Sequence, residues 1–315
     1  MAVTLYTSAD ASAPQLSGTA GSLTTLLDAI LVNGYGSKAA AGWTIAFSGT
    51  NQRDYKQGTG SNGYYLDVND NAPATATEAR MRGYETMSAL GTGTQPFPTT
   101  AQSSFGVTCR KSATSNSTAR NWYCIADATC FYLFVDTTDN PGYSFTFMFG
   151  DIFSYKSGDT YNTLIIGRDV DNNSATNADH LGHIGHGNTS PLINGLGGHY
   201  IDRVWTGTGG SLPCTKFSSF ACGGSTACVG SSAALVSYPN GPDAALELSP
   251  IWVAHGGAVR GYLKGAWAPL HYQPCGHGDQ FSGTGNMSGK SFMAFNVQGS
   301  NVTGQIIMET SNTWS

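Results

Sequence analysis

The chain has 315 residues, 41 of them glycine, with 11% charged residues and a formal net charge of −5, so it is long enough to bury a sizeable core as one large β domain or two smaller ones. The acidic balance leaves no basic stripe for nucleic acid, and no run of about 20 apolar residues offers a helix to a membrane, so neither is an expected partner. The opening "MAVTLYTSAD" lacks the basic start and apolar stretch of an export signal, which points to synthesis in a cytoplasm.

The first predicted element is a helix. Ser22 stands at the N-cap of "SLTTLLDAILVN", Leu23, Leu26, Leu27, Ile30 and Leu31 recur at i, i+3, i+4, i+7 and i+8, and Gly34 ends the pattern in the C′ position. One apolar stripe on one short helix needs a surface, either the chain's own sheet or a neighbouring subunit. Packing on its own sheet is the ordinary outcome, and the same five side chains are the candidate subunit contacts. Residues 1–36 are read as an N-terminal segment carrying this helix, and 37–315 as a β-rich body with a division expected near 155–165.

After Gly36 the pattern changes to short strands between Gly, Asn, Ser and Thr clusters: "GWTIAF", "GYYLDV", "ARMRGYETM", "GVTCRKS", "NWYCIAD", "CFYLFVD" and "YSFTFMFGDI". "GTGSNG" at Gly58–Gly63 fits G-x-G-x-x-G by letters, but the strand-like "YYLDV" follows instead of a helix, so it reads as a turn. Two hairpins are expected, one with a polar turn at Ser112–Thr118 and one with a tight turn at Asp127–Thr129. Phe145, Phe147 and Phe149 share one face of a strand and Met148 takes the other. With no crossover helices between strands, the expected fold class is mainly β: an antiparallel sandwich or barrel-like body with one short N-terminal helix and long loops.

From Gly158 onward the loops lengthen, and the residues capable of chemistry gather there. "DHLGHIGHGN" spaces His180, His183 and His186 three apart, and His199 follows; imidazole is the commonest metal ligand. Gly182, Gly185 and Gly187 argue against a helix that would align them, so an ordinary polar loop with no metal is expected, and these four histidines are the metal candidates otherwise. "DVDNNSATNAD" alternates Asp169, Asp171 and Asn173 like the start of a calcium loop, yet it has no Gly at the sixth place and His180 at the twelfth. Asp151, Asp159, Asp169, Asp171 and Asp179 are the carboxylates from which a glycosidase pair could be drawn; in Asn- and Gly-rich loops, turn formation explains them. G-x-S-x-G, P-loop and H-E-x-x-H patterns are absent. Tyr143 and Trp205 are loop aromatics suited to sugars or subunit contacts if exposed.

Seven cysteines, an odd number, fit reduced thiols better than a disulfide framework. Cys214, Cys222 and Cys228, spaced C-x7-C-x5-C, with Cys275 and His277, offer a zinc shell of unusual spacing. No catalytic residue, cofactor or metal is expected.

The stretches "LYTSADASAPQLSGTAGSLTTLLDAILVNGYG", "AAAGWTIAFSGTNQRDYKQGTGSNGYYLDVND", "EARMRGYETMSALGTGTQPFPTTAQ" and "ARNWYCIADATCFYLFVD", extended by "FGDIFSYKSGDTYNTLIIG" to Gly167, resemble a group of virion structural proteins of tailed bacteriophages, tail-associated or minor capsid. The resemblance covers about the first half of the chain and implies a viral structural protein made in the host cytoplasm, localised to the virion, and partnered by other virion proteins and copies of itself. It carries no catalytic residue. The expected place is the tail, baseplate or tail tip, in a symmetric oligomer. The alternatives are a receptor- or saccharide-binding tail module acting in host attachment through loops 167–199 and 206–233, a head decoration or neck protein, and a saccharide-degrading virion enzyme.

Overall fold

The computed structural model describes residues 2–71, 77–139, 144–167, 198–217, 243–255, 258–271, 274–299 and 302–314. Within them the chain is mainly β, built from antiparallel sheets with no closed barrel. The central sheet has the strand order Thr4–Thr7, Trp122–Ala126, Cys130–Asp136, Ser144–Asp151, Thr163–Gly167, Gly198–Ile201 and Leu212–Pro213. Its third strand, "CFYLFVD", is buried at every position. The period of two then divides its side chains between two cores: Phe131, Leu133 and Val135 enter the first, and Cys130, Tyr132 and Phe134 the second. Phe147 and Phe149 go to the first core and Met148 to the second, as the alternation in the sequence requires.

The first core is closed by an N-terminal sheet, ordered Thr44–Gly49, Gln52–Lys56, Tyr65–Asn69, Glu78–Tyr84 and Val107–Arg110, which contributes Tyr55, Leu66, Val68, Ala79 and Met81. The second is closed by a C-terminal sheet, ordered Thr215–Phe217, Leu248–His255, Ala258–Pro269, Val302–Glu309, Ser291–Gly299 and Gln280–Ser282. Ile251, Val253, Leu263, Phe295, Ile306 and Met308 come from this side, and Phe134 of the central sheet stacks on Phe295 with ring centroids 4.0 Å apart. Three sheets therefore lie in layers around two cores. Burial of a side chain of this size contributes about 1.5–3 kcal/mol, and the strand Cys130–Asp136 is covered on both faces.

The helix forms where expected and stops at Gly34, which has a φ of 75° as its C-terminal role requires, but its N-cap and its winding differ from expectation. An α-helix, Ser22–Leu27, passes into π-type turns over Asp28–Asn33. The hydroxyl of buried Tyr55 lies 3.1 Å from Thr24 O and 2.7 Å from Asp28 Oδ1 at that transition, fixing this turn to the N-terminal sheet. Gly21, with φ of 82°, takes the N-cap place expected for Ser22, whose hydroxyl turns to Ser17 O instead.

Leu23, Leu26, Leu27, Ile30 and Leu31 are completely buried in the chain's first core. They are not available to a second subunit, which corrects their assignment as subunit contacts. Residues 1–36 are likewise no separate segment, because Thr4–Thr7 pairs with Trp122–Ala126 inside the central sheet. Residues 155–165 mark no division either: the chain leaves Phe153–Ser154, paired in the C-terminal sheet, and re-enters the central sheet at Thr163. The hairpin around Asp127 is present, with Asp127 Oδ1 accepting the N–H groups of Thr129 and Cys130 at 2.7 and 2.9 Å. The other expected hairpin is not. Val107–Arg110 pairs with Glu78–Tyr84, so Ser112–Thr118 carries the chain from one layer to the next.

Candidate interaction surface

On the outer side of the C-terminal sheet, the alternation that sends Ile251, Val253 and Leu263 into the core sends Trp252 and Tyr262 outward. The short strand Phe153–Ser154 joins this sheet along Ala258–Pro269, placing Phe153 opposite Tyr262, which is itself opposite Trp252. Phe217 is the register partner of Trp252 on the far side. A row of four aromatic positions thus crosses four strands. Phe153 stacks on Tyr262 at 4.5 Å, Tyr155 lies edge-on to Phe153 at 6.0 Å, and the Trp252 indole N–H donates to the Tyr155 hydroxyl at 3.1 Å. Phe153 and Tyr155 remain 44% and 56% exposed, where aromatic side chains of this size are ordinarily covered.

Two local features hold the row in place. A Cβ at position 261 would collide with the Phe153 carbonyl oxygen, so Gly261 permits the close approach of the edge strand. Beneath it, Arg260 and Asp159 form an ion pair with both side chains 1% exposed. Arg260 Nε and Nη2 donate to the two Asp159 oxygens at 2.7 and 2.8 Å, and Nη1 donates to Arg203 O at 2.7 Å. Asp159 also accepts from the Ser154 hydroxyl and the Tyr161 N–H. Burial opposes ionisation of Asp159, but these donors prevail and hold its carboxyl below the usual range. One cation therefore ties the turn after Phe153–Ser154 and the loop carrying Trp205 to the sheet. Trp205, 40% exposed, lies over the Arg260 guanidinium at 5.8 Å, and exposed Val259 stands nearby in sequence.

This arrangement presents rings and hydroxyls around charges that are already buried and paired. It suits apolar contact with another macromolecule, protein or the C–H face of a sugar, and places no free acid and base opposite each other. Trp205 is the one member singled out by the sequence. The others were hidden among strand residues, although the outward phase of "IWVA" and "RGYLK" is a signal that could have found them.

The remaining sequence candidates are placed as follows. Asp151 is buried and accepts from Gln57 Nε2, the Asn62 N–H and the Thr163 hydroxyl at 2.7–2.9 Å, a structural role. Asp159 serves Arg260. His199 lies buried in the strand Gly198–Ile201, opposite Ile166. His180, His183, His186, Asp169, Asp171, Asn173, Asp179, Tyr143, Cys222 and Cys228 lie outside the described residues, as does most of the two long loops. Cys214 sits in the second core, whereas Cys275 packs in a separate cluster on the outer side of the C-terminal sheet. Among the described residues no group of three or more His, Cys, Asp or Glu side chains could hold a metal, and no helix is long and apolar enough to cross a membrane. A cavity of about 980 Å³ is lined in part by Leu248, Cys275, Asp279, Phe281 and Phe292; burial and the Asp279 charge push the Cys275 thiol up to about 11, so it is mostly protonated at neutral pH. No family model and no curated protein matches the chain.

Proposed function

We propose that the chain is a structural component of a tailed-bacteriophage virion, in the tail, baseplate or tail tip, and that it acts through subunit contacts rather than catalysis. The surface of Phe153, Tyr155, Trp252, Tyr262 and Trp205 carries this reading: an apolar, low-charge face anchored from below by a buried ion pair is what a permanent contact needs. It replaces the helix stripe as the contact element. The resemblance of residues 1–167 to virion structural proteins supplies the particle, and the partners are other virion proteins or copies of this chain. The carboxylates Asp151 and Asp159, both committed to hydrogen bonds within the fold, support a non-enzymatic role.

Antibody-labelled electron microscopy of purified particles tests the assignment, with label expected on the tail; particles free of label would sink it. The surface is tested separately with Phe153→Ser/Tyr155→Ser. A chain that keeps its circular dichroism but no longer enters particles is expected, and normal incorporation would remove the surface from the contact. The same surface could meet saccharide through its rings and hydroxyls. In that case the variant enters particles normally, and isolated wild-type protein, unlike the variant, blocks phage adsorption.

A further inference from the structure

The two-stranded hairpin Thr86–Ala89 and Thr92–Thr94 is fastened to the body at its tip and at its root, and each attachment uses a pair of carboxyl groups. At the tip, the Gly91 N–H donates to Asp54 Oδ2 at 3.1 Å, and Leu90 lies against the backbone at Gly49. Asp54 stands directly opposite Asp67 across the strands Gln52–Lys56 and Tyr65–Asn69. At the root, the Glu85 N–H donates to Thr94 O at 3.2 Å, and the Glu85 side chain meets Asp202, which follows the central-sheet strand Gly198–Ile201.

Asp54 and Asp202 are both completely buried. Each has one oxygen, Oδ2, with a donor: the Gly91 N–H for Asp54, and the Tyr64 hydroxyl at 2.9 Å for Asp202. The other oxygen of each, Oδ1, is buried without an N–H or hydroxyl donor. An ionised carboxylate in that position would be a buried, half-solvated charge beside a second carboxylate. A proton on Oδ1 removes both difficulties, because the neutral acid then donates to its neighbour, Asp67 in one case and Glu85 in the other.

Each neighbour has donors that the buried Oδ1 atoms lack, although burial pushes the Asp67 carboxyl up as well. Asp67 accepts from Gln52 Nε2 at 2.9 Å and faces Arg82 on the next strand, and Glu85 is paired with Arg203. Tyr84, beside the tip pair, is itself pushed up by burial and stays neutral. So does Tyr64 at the root. The hairpin sequence "TMSALGTGT" brings no ionisable group of its own to either pair.

We propose that two shared protons, one between Asp54 and Asp67 and one between Asp202 and Glu85, latch this hairpin onto the body, and that their loss at alkaline pH releases it. Burial, then the charge of Asp67, pushes Asp54 up to about 8; burial, then the charge of Glu85, pushes Asp202 up to about 7. In the open hairpin both carboxyls return toward the ordinary value near 4. The closed state therefore binds more protons than the open one between those limits. Its advantage is complete below about pH 4 and is lost as pH rises to about 7 at the root and about 8 at the tip.

Hydrogen exchange of the full chain between pH 5 and pH 9, expressed as protection relative to the intrinsic exchange rate at each pH, reads the latch directly. Protection of residues 86–94 is expected to fall about tenfold per pH unit for each pair still titrating, while the buried strand Cys130–Asp136 keeps its protection. Asp54→Asn/Asp202→Asn puts neutral donors where the protons were, so it should remove the pH dependence. Constant protection of 86–94 in the wild type, or an unchanged slope in a folded double variant, would overturn the proposal. Should the double variant fail to fold, carbon NMR of the wild-type aspartates decides: side-chain titration of Asp54 and Asp202 above pH 6 sustains the latch, and midpoints below 5 refute it.

Discussion

Lys111 and Asp70 form an ion pair whose two side chains are completely withdrawn from solvent, and together they secure the N-terminus of the helix Ser22–Leu27. Asp70 Oδ2 accepts the Leu23 N–H at 2.7 Å, and Lys111 Nζ donates to Thr19 O at 2.6 Å. The pair does the work that a local N-cap side chain would otherwise do.

Breaking the pair from one side leaves a charge in the core, so Lys111→Met should cost about 3–5 kcal/mol in urea unfolding. Lys111→Met/Asp70→Leu should recover part of that loss, because no unpaired charge remains. A double variant as unstable as the sum of its singles would mean that the two residues act independently.

The helix shows where sequence reading stops. Its stripe was legible because i, i+3, i+4 spacing is local information, and so was the Asp127 turn, where one side chain serves residues two and three places on. Its cap was not, since Asp70 lies 47 residues from Leu23. Nor could the stripe say which surface would cover it. An apolar face has the same pattern whether its own sheet or another chain is the partner.

The same distinction explains the missed pairing of Val107–Arg110 and the missed aromatic row. Strand existence follows from alternation, but the choice of partner depends on layers assembled from distant segments. Phe153 and Tyr262 are opposite one another only because Gly261 admits the edge strand, and no spacing reveals that.

Phe134 and Phe295 join the central and C-terminal sheets through a near-parallel stack at 4.0 Å. Each Phe→Ala substitution should cost about 3–5 kcal/mol. Because they touch, the double variant should cost less than the sum by about 0.5–1.5 kcal/mol in a double-mutant cycle of urea unfolding. Strict additivity would show that the stack contributes nothing beyond separate burial.

Thiol chemistry should report the two cores. Burial pushes the thiols of Cys109, Cys124 and Cys130 far up, whereas Cys275 is partly exposed. In a Cys222→Ser/Cys228→Ser background, a disulfide reagent at pH 8 should modify Cys275 first, and the four core cysteines, Cys109, Cys124, Cys130 and Cys214, only after denaturant is added. Mass spectrometry of the labelled peptides gives the order. Rapid labelling of Cys124 or Cys130 in native protein would contradict burial of the strands Trp122–Ala126 and Cys130–Asp136.

The last prediction concerns the support under the aromatic surface. Arg260 uses a planar fork to reach both Asp159 oxygens and a third donor to reach Arg203 O, a combination that a lysine ammonium cannot copy from the same place. Arg260→Lys keeps the charge, so Asp159 is not stranded, but one or two charge-assisted hydrogen bonds are lost at about 1.5–3 kcal/mol each. The loop bearing Trp205 and the turn bearing Tyr155 should loosen while both cores stay intact. Tryptophan fluorescence, compared with the same change in a Trp205→Phe background, should shift to the red with little change in circular dichroism. Acid offers an independent route to the same state. The depressed carboxyl of Asp159 contributes stability above its ordinary pKa near 4, and that contribution disappears as pH falls through the lower folded value. A wild-type fluorescence change below about pH 4 that is weakened in Arg260→Lys should therefore accompany loosening of the surface. An Arg260→Lys protein with wild-type fluorescence and an unaltered acid transition would show that the ion pair does not position these rings.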